Sequence, residues 1–293
     1  MADRFTLINT EILNEDTGEI IDIKDSKDLT IIIGKRGGRY IGPKQAEFLK
    51  QRSLRYADNT PFVWANFKYN KPFHPDIEDA NIPKMIFLAT FCNNVGYVMG
   101  KQDITDMLNI SYNLSKKFRD NLTEQKVLFF KRDLAFISPR SFYKGKLKDT
   151  GTSYIRIYEE YNQKLYQSCT TTQHKQLSYV YRMIPYLNRQ TNILSYNQQE
   201  QEIKHIVNMS VKDFCRKVGY KPSHSARLRN CLSQFRVNGE LAVGFFNDLT
   251  QLIPDGKYIV VNPNLFYGGE KTTNNYKQIS KLFKEEKNRH LGN

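Results

Sequence analysis

The chain has 293 residues, 40% hydrophobic and 13% aromatic, enough to bury an ordinary core and too apolar for a disordered tail. Lysine and arginine total 44 against 30 acidic residues, a formal charge of +14 that suits a polyanionic partner, DNA being the usual one, with RNA and an anionic membrane left open by charge alone. The longest apolar run, near residues 85–91, is far too short to span a bilayer, and the first residues carry no apolar export segment. No membrane partner is expected, and the chain is expected to be cytoplasmic.

Residues 1–41 read as a small β region. Two short apolar stretches, at 5–9 and 18–23, flank a turn at Asn14-Glu-Asp-Thr-Gly18, and Thr30-Ile-Ile-Ile33 follows as a third strand. The basic stretch Gly34-Lys-Arg-Gly-Gly-Arg39 lacks P-loop spacing and reads either as a turn touching phosphate or as a solvated hairpin loop. A short helix is expected near residues 43–52, then an aromatic-rich stretch at 62–69, then an extended connector, Lys71-Pro-Phe-His-Pro75. A helix from Pro83 carries Met85, Leu88, Ala89 and Cys92 at helical spacing, with Gly96 helping to end it.

Two later segments share one grammar: a short helix, a turn, a longer helix and a β segment. The first runs through residues 103–139 and the second through 210–263. Each closes on a proline followed by Phe-Tyr-x-Gly, at Phe142-Tyr-Lys-Gly145 and Phe266-Tyr-Gly-Gly269. Ile104, Met107 and Leu108 in the first copy, and Val211, Phe214 and Cys215 in the second, are spaced to bury one helix face. Asn109 and Gly219 suit a left-handed turn. Leu114, Phe118 and Leu122, or Leu228, Leu232 and Phe235, would pack the longer helix.

This grammar predicts an α+β, predominantly helical chain with two tandem winged helix-turn-helix modules and a small N-terminal β region. The expected divisions are 1–80 (β hairpins and connector), 81–148 (first module), 149–173 (linker), 174–270 (second module) and 271–293 (basic tail). In the tail, Tyr276, Ile279, Leu282 and Phe283 could line one face of a helix.

The opposite helix faces carry the expected recognition chemistry. In the second copy, Ser223, Arg227, Asn230 and Gln234 are the expected base readers. Arginine pairs bidentately with guanine, and asparagine or glutamine with adenine. His224, at the helix start, and Arg229, Lys257, Lys271 and Lys277 are expected on phosphates. The first copy offers Asn113, Lys116 and Arg119 as a weaker face, because Asp120 on the same face repels the backbone.

The second copy resembles the Firmicute plasmid replication proteins of the RepL type. The similarity rests on residues 211–235, on the ending Gly256-Lys-Tyr-Ile-Val-Val-Asn-Pro-Asn-Leu-Phe-Tyr-Gly-Gly269, and on the opening Asn14-Glu-Asp-Thr-Gly-Glu-Ile-Ile21. It covers about a third of the chain and implies binding to duplex DNA. A second copy departs from the short members of that family, and is instead similar to tandem plasmid initiators and related phage regulators. Three functions are thus expected: a plasmid or phage replication initiator that marks an origin, a transcription regulator of such an element, or a protein-binding scaffold. Two half-sites would be engaged by the two modules or by a homodimer.

No catalytic site, cofactor or metal is expected. Asp76, Glu78 and Asp79 read as a solvated turn, and the five histidines form no ligand pattern. Cys92, Cys169, Cys215 and Cys231 form no C-x-x-C pair and suit reduced thiols.

Overall fold

A computed structural model describes residues 5–8, 11–14, 20–22, 30–34, 37–41, 60–66, 76–99, 103–131, 134–145, 154–248, 251–252, 258–269, 271 and 273–291. The chain divides into two compact units, Met1–Asn59 and Thr60–Asn293.

The first unit contains an antiparallel sheet of β1 (Phe5–Ile8), β2 (Glu11–Asn14), β3 (Ile20–Asp22), β4 (Thr30–Gly34) and β5 (Gly37–Ile41), in the order β3-β2-β1-β5-β4. β2 and β3 pair Leu13 with Ile20, and residues 15–18 of the turn expected between them lie outside the described residues. β4 and β5 close on Gly34 opposite Gly37, so the glycine-rich stretch sits in a hairpin. Lys35 and Arg36 between them lie outside the described residues, as do the helix expected near 43–52 and the connector at 71–75.

The second unit begins with β6 (Phe62–Asn66) and α1 (Asn81–Ala89). Every residue of α1 is buried, as befits a helix enclosed on all sides. Its one cation, Lys84, is 4% exposed and donates to Asn81 Oδ1 at 3.2 Å. The helix ends at Ala89, before Gly96. That glycine serves the following loop instead, with φ at +102° and an added Cβ falling 2.5 Å from the Ile137 carbonyl oxygen.

Next come α2 (Ile104–Leu108), α3 (Tyr112–Glu124), β7 (Leu128–Lys131), β8 (Leu134–Ile137), β9 (Phe142–Tyr143), β10 (Tyr154–Tyr158), α4 (Glu159–Ser168) and α5 (Thr171–Arg182). A capping box starts α5, with Gln173 accepting from the Thr170 backbone N–H at 2.8 Å. The chain continues through α6 (Val211–Lys217), α7 (Ser225–Leu232), β11 (Arg236–Val237), β12 (Glu240–Leu241), β13 (Val243–Asp248), β14 (Gln251–Leu252), β15 (Tyr258–Val261), β16 (Phe266–Tyr267) and α8 (Asn274–Leu291). Asn238 and Gly239, at φ 53° and 82°, form the two-residue turn between β11 and β12, the positive-φ pair such a hairpin requires. Among the described residues no helix is long and apolar enough to cross a membrane.

The α+β class stands, but the architecture is not a pair of tandem winged-helix modules. Several small antiparallel sheets share one continuous core, and the decisive sheet has the order β16-β10-β6-β9. β6 comes from the aromatic-rich stretch at 62–69, β9 from the first copy, β10 from the stretch read as linker, and β16 from the end of the second copy. Residues 154–168, inside the stretch read as linker, therefore supply a central strand and a whole packed helix. Ile155, Ile157 and Leu165 point into the core that also holds Phe118 and Phe214.

Polar contacts tie the same regions together. Asn121 of α3 accepts from the Glu78 N–H at 3.3 Å and from Asn81 Nδ2 at 3.1 Å, and donates to the Asp76 carbonyl at 3.0 Å. Arg182 of α5 donates to Asp79 at 2.9 Å and to the Ile77 carbonyl at 3.0 Å. Asp79 also accepts from the Tyr179 hydroxyl at 3.1 Å. The segment 76–81 is thus clamped by α3 of the first copy and by α5, which precedes the second.

A stack of Phe87, Tyr166 and His174 runs through the same region, with ring centroids 4.3 and 4.2 Å apart. The Tyr166 hydroxyl donates to the Leu108 carbonyl at 3.0 Å, joining α4 to the end of α2. His174 is buried, and its Nδ1 has no hydrogen-bond partner among the described residues. Burial lowers its pKa below the ordinary 6.5, opposed by the Tyr166 carbonyl and reinforced by nearby Lys84. The unfolded chain therefore takes up this proton before the folded one does. Stability is expected to fall as pH drops below about 6.5 and to level off below the folded-state pKa. Urea denaturation from pH 7.5 to 5 checks this. His174→Gln should flatten the slope, and an unchanged slope would reject the assignment. Asp103 and Asp213, both held below the usual carboxylate range, act in a separate window at lower pH.

Candidate nucleic-acid interface

A basic helix–turn–helix is built on α6 and α7. A capping box starts α6. Ser210 Oγ accepts from the Asp213 N–H at 3.2 Å, and the Asp213 carboxylate accepts from the Ser210 N–H at 3.3 Å. The Ser210 hydroxyl is the main cause of the lowered Asp213 pKa, with Arg216 adding to it. Val211, Phe214 and Cys215 turn inward, and Phe214 meets the Tyr186 ring edge-on at 6.2 Å. The chain leaves α6 through Gly219 at φ +71°, the left-handed residue expected there. No atom lies within 4 Å of an added Cβ, so the backbone conformation alone selects glycine.

A 3-10 turn, Pro222–His224, leads into α7, and Tyr220 meets Tyr179 edge-on at 5.3 Å beneath it. α7 buries Leu228 and Leu232 and leaves Ala226, Arg227 and Asn230 exposed. Ser223 and His224 are exposed at its start. Arg229 lies half-buried with its guanidinium 5.3 Å from the centre of the Phe245 ring on β13. Cys231 lies 3.2 Å from Gln176 of α5, and burial raises its pKa, so it is not a reactive thiolate.

The helix is shorter than its sequence pattern implied. It stops at Leu232, and Gln234 falls in the turn beyond it, exposed but off the helix face shared by Arg227 and Asn230. Phe235 is buried beyond the helix end, and Arg236 already belongs to the β11–β12 hairpin. A broader sequence signal accompanies this site. From Phe214 to Gly239 the chain contains no aspartate or glutamate, while Arg216, Lys217, Lys221, Arg227, Arg229 and Arg236 fall inside that stretch.

The remaining expected residues are scattered. Lys257 lies outside the described residues. Lys271 is drawn into the fold, with Nζ 3.0 Å from Thr60 Oγ1 and 3.9 Å from the centre of the Tyr158 ring. It is a packed cation there, not an element of a loose tail. Residues 274–291 are helical, and Lys277 is exposed on that helix.

The first helix pair, α2 and α3, differs in charge. Asp103 caps α2, accepting from the Thr105 N–H and from Arg119, each at 2.7 Å. Asn109, at φ 49°, makes the left-handed turn expected of it. Arg119 is thus committed to Asp103, and its guanidinium also lies 5.1 Å from the centre of the Phe130 ring. Asn113 and Lys116 are exposed, but so are Asp106, Asp120 and Glu124. The neighbouring β7–β8 hairpin pairs Phe129 with Phe136 and exposes Leu134 and nearby Met99, each at 58%. That face is set by the pairing of β7 with β8, which puts Lys131 opposite Leu134 as well.

Asp76 and Asp79 take part in the clamp at 76–81. No group of three His, Cys, Asp or Glu that could hold a metal occurs among the described residues. Comparison of the chain with protein-family models, curated proteins and solved structures found no match.

Proposed function

We propose that the protein binds duplex DNA sequence-specifically through α7 and the turn before it. The supporting observation is a helix–turn–helix that buries Leu228 and Leu232, exposes Arg227 and Asn230, and lies in a stretch free of carboxylates. Arg227 has the side chain for a bidentate contact with guanine and Asn230 for one with adenine. Ser223 reaches a base edge, while His224, Arg229 and Lys277 contribute positive charge towards phosphates. Gln234 takes a flanking role, and Asn113 and Lys116 of α3 form a weaker second face. Catalysis is no part of this reading.

The biological role proposed is that of a plasmid or phage replication initiator binding at an origin, supported by the RepL-type resemblance of residues 211–235 and 256–269. The alternative is a transcription regulator of the same kind of element. A third reading, a protein-binding scaffold, draws on the exposed apolar face of β7 and β8.

Selection from randomised duplex DNA, with affinity followed across salt, tests the proposal. One or two defined half-sites and a steep salt slope are expected. Salt-sensitive binding with no selected motif would leave only a basic surface and would favour the scaffold. Footprinting on the element's own DNA separates iterated origin repeats from a promoter. The protein-to-DNA ratio at saturation shows whether a single chain or a homodimer occupies the site.

A further inference from the structure

The β segments of the two copies pair in the same register, but their outer faces are covered differently. Leu128 pairs with Ile137 in the first and Val243 with Val261 in the second, and Ile137 and Val261 each lie two residues before a proline. A third extended segment joins the far edge of both. The Val98 N–H donates to the Ala135 carbonyl at 3.0 Å, and the Leu194 N–H to the Ile259 carbonyl at 2.8 Å. Tyr97 bridges Phe136 just as Ile193 bridges Val260. On the helix-bearing face the match continues, with the Arg119 guanidinium 5.1 Å from the centre of the Phe130 ring and that of Arg229 5.3 Å from Phe245.

Cross-strand partners share a face, so the outer face of the second sheet carries Ile193, Val260, Phe246 and Tyr258. α8 covers that face. Ile279 and Phe283 are buried among these side chains, and Phe283 meets Phe246 with ring centroids 5.8 Å apart. The same four positions of the first sheet hold Tyr97, Phe136, Lys131 and Leu134, with Phe129 where the second has Gly244. The rings of Tyr97, Phe136 and Phe129 form a row with centroids 5.4 and 6.2 Å apart. Leu134 is 58% exposed and Phe129 37%, so among the described residues no helix does for the first sheet what α8 does for the second.

From this comparison we infer that the outer face of β7 and β8 seats an amphipathic helix of a partner protein. The occupant is a helix because the matching face takes one, through Ile279, Leu282 and Phe283 at i, i+3 and i+4. It differs from α8 at one point. Phe283 rests on Phe246, and the matching position is the exposed Lys131, where a carboxylate gains a charge pair that a phenyl ring does not supply. The formal charge of +14 favours an acidic partner in the same direction. The partner helix thus carries an aliphatic and aromatic stripe over Phe129, Leu134 and Phe136, and a carboxylate facing Lys131. The inference rests on the scaffold reading of this face and does not depend on DNA binding by α7.

The probe is a fluorescent peptide of residues 274–291 in which Lys277, Lys281 and Lys284 are changed to Glu, made in two forms, Phe283→Glu and Phe283→Lys. Each is titrated into the full chain and followed by anisotropy. The Phe283→Glu peptide is expected to bind at about 10–100 μM and the Phe283→Lys peptide about fivefold or more weakly. In the protein, Leu134→Asp should weaken the first peptide about tenfold or more, and Lys131→Glu should reverse the order of the two. Val207→Asp, at a site 56% exposed elsewhere on the surface, should change neither. Circular dichroism establishes that each variant is folded, and the reversal at Lys131 decides the matter if Leu134→Asp is not. Absence of saturable binding overturns the inference. So does binding that survives both face variants, which would place the peptide on β13 in exchange with α8. A dimer in sedimentation equilibrium that Leu134→Asp dissolves would keep the scaffold reading but give the face to a second copy. DNA selection by the parent chain is measured separately, and its failure would defeat the α7 reading alone.

Discussion

Arg182→Ala is expected to destabilise the Thr60–Asn293 unit by about 3 kcal/mol, lowering its midpoint of thermal unfolding by roughly 6–12 °C in a single cooperative step. The side chain is 10% exposed and pairs with Asp79, while Nη2 satisfies the Ile77 carbonyl. Truncation leaves Asp79 partly buried with only the Tyr179 hydroxyl and leaves Ile77 without that donor. Removing one partner of such a pair costs more than the pair contributes in sum, because the remaining charge loses its compensation. Cooperativity is the sharper readout. Arg182 joins α5 to the segment that Asn121 holds from α3, within one continuous core. Calorimetry resolving two transitions, one for residues 81–148 and one for 174–270, would contradict the single-unit architecture. Arg182→Lys, which keeps the charge but not the fork to Ile77, should fall between wild type and alanine.

Arg227→Ala is expected to cost about 1–3 kcal/mol at one base position of the selected site, or about 5- to 150-fold in Kd. Preference at that position should relax, while the salt slope changes by no more than about one phosphate equivalent. Asn230→Ala should relax a different position. Both side chains are exposed, so neither substitution should move the unfolding midpoint measurably. Uniform weakening on all sequences would reassign Arg227 to the backbone, and unchanged affinity would remove α7 from the interface.

The local elements were legible because their signals are local. Ile104 and Leu108, and Val211, Phe214 and Cys215, recur at helical spacing and are buried as the pattern implied. Asn109 and Gly219 adopt the left-handed turns that their side chains allow. Ile279 and Phe283 gave the C-terminal helix away in the same fashion. The end of α7 was misjudged because Leu228, Leu232 and Phe235 keep helical spacing across it. The β11–β12 hairpin claims Phe235, whose carbonyl accepts from the Ala242 N–H at 2.7 Å. Arg119 and Lys271 looked like surface cations because their partners, Asp103 and Phe130, or Thr60 and Tyr158, lie 11 to 211 residues away or across a turn.

By itself the sequence determined the composition of each helix face, the left-handed turn positions and the carboxylate-free stretch from Phe214 to Gly239. All of these depend on neighbours within a few turns of the chain. Only the tertiary structure decided that β6, β10 and β16 meet in one sheet, that β10 and α4 enter the core, and that the Arg182–Asp79 pair spans 103 residues. Periodicity shows that a face is apolar, not which other face will cover it. Here the covering surfaces came from opposite ends of the unit, and that long-range pairing made one body of two similar segments.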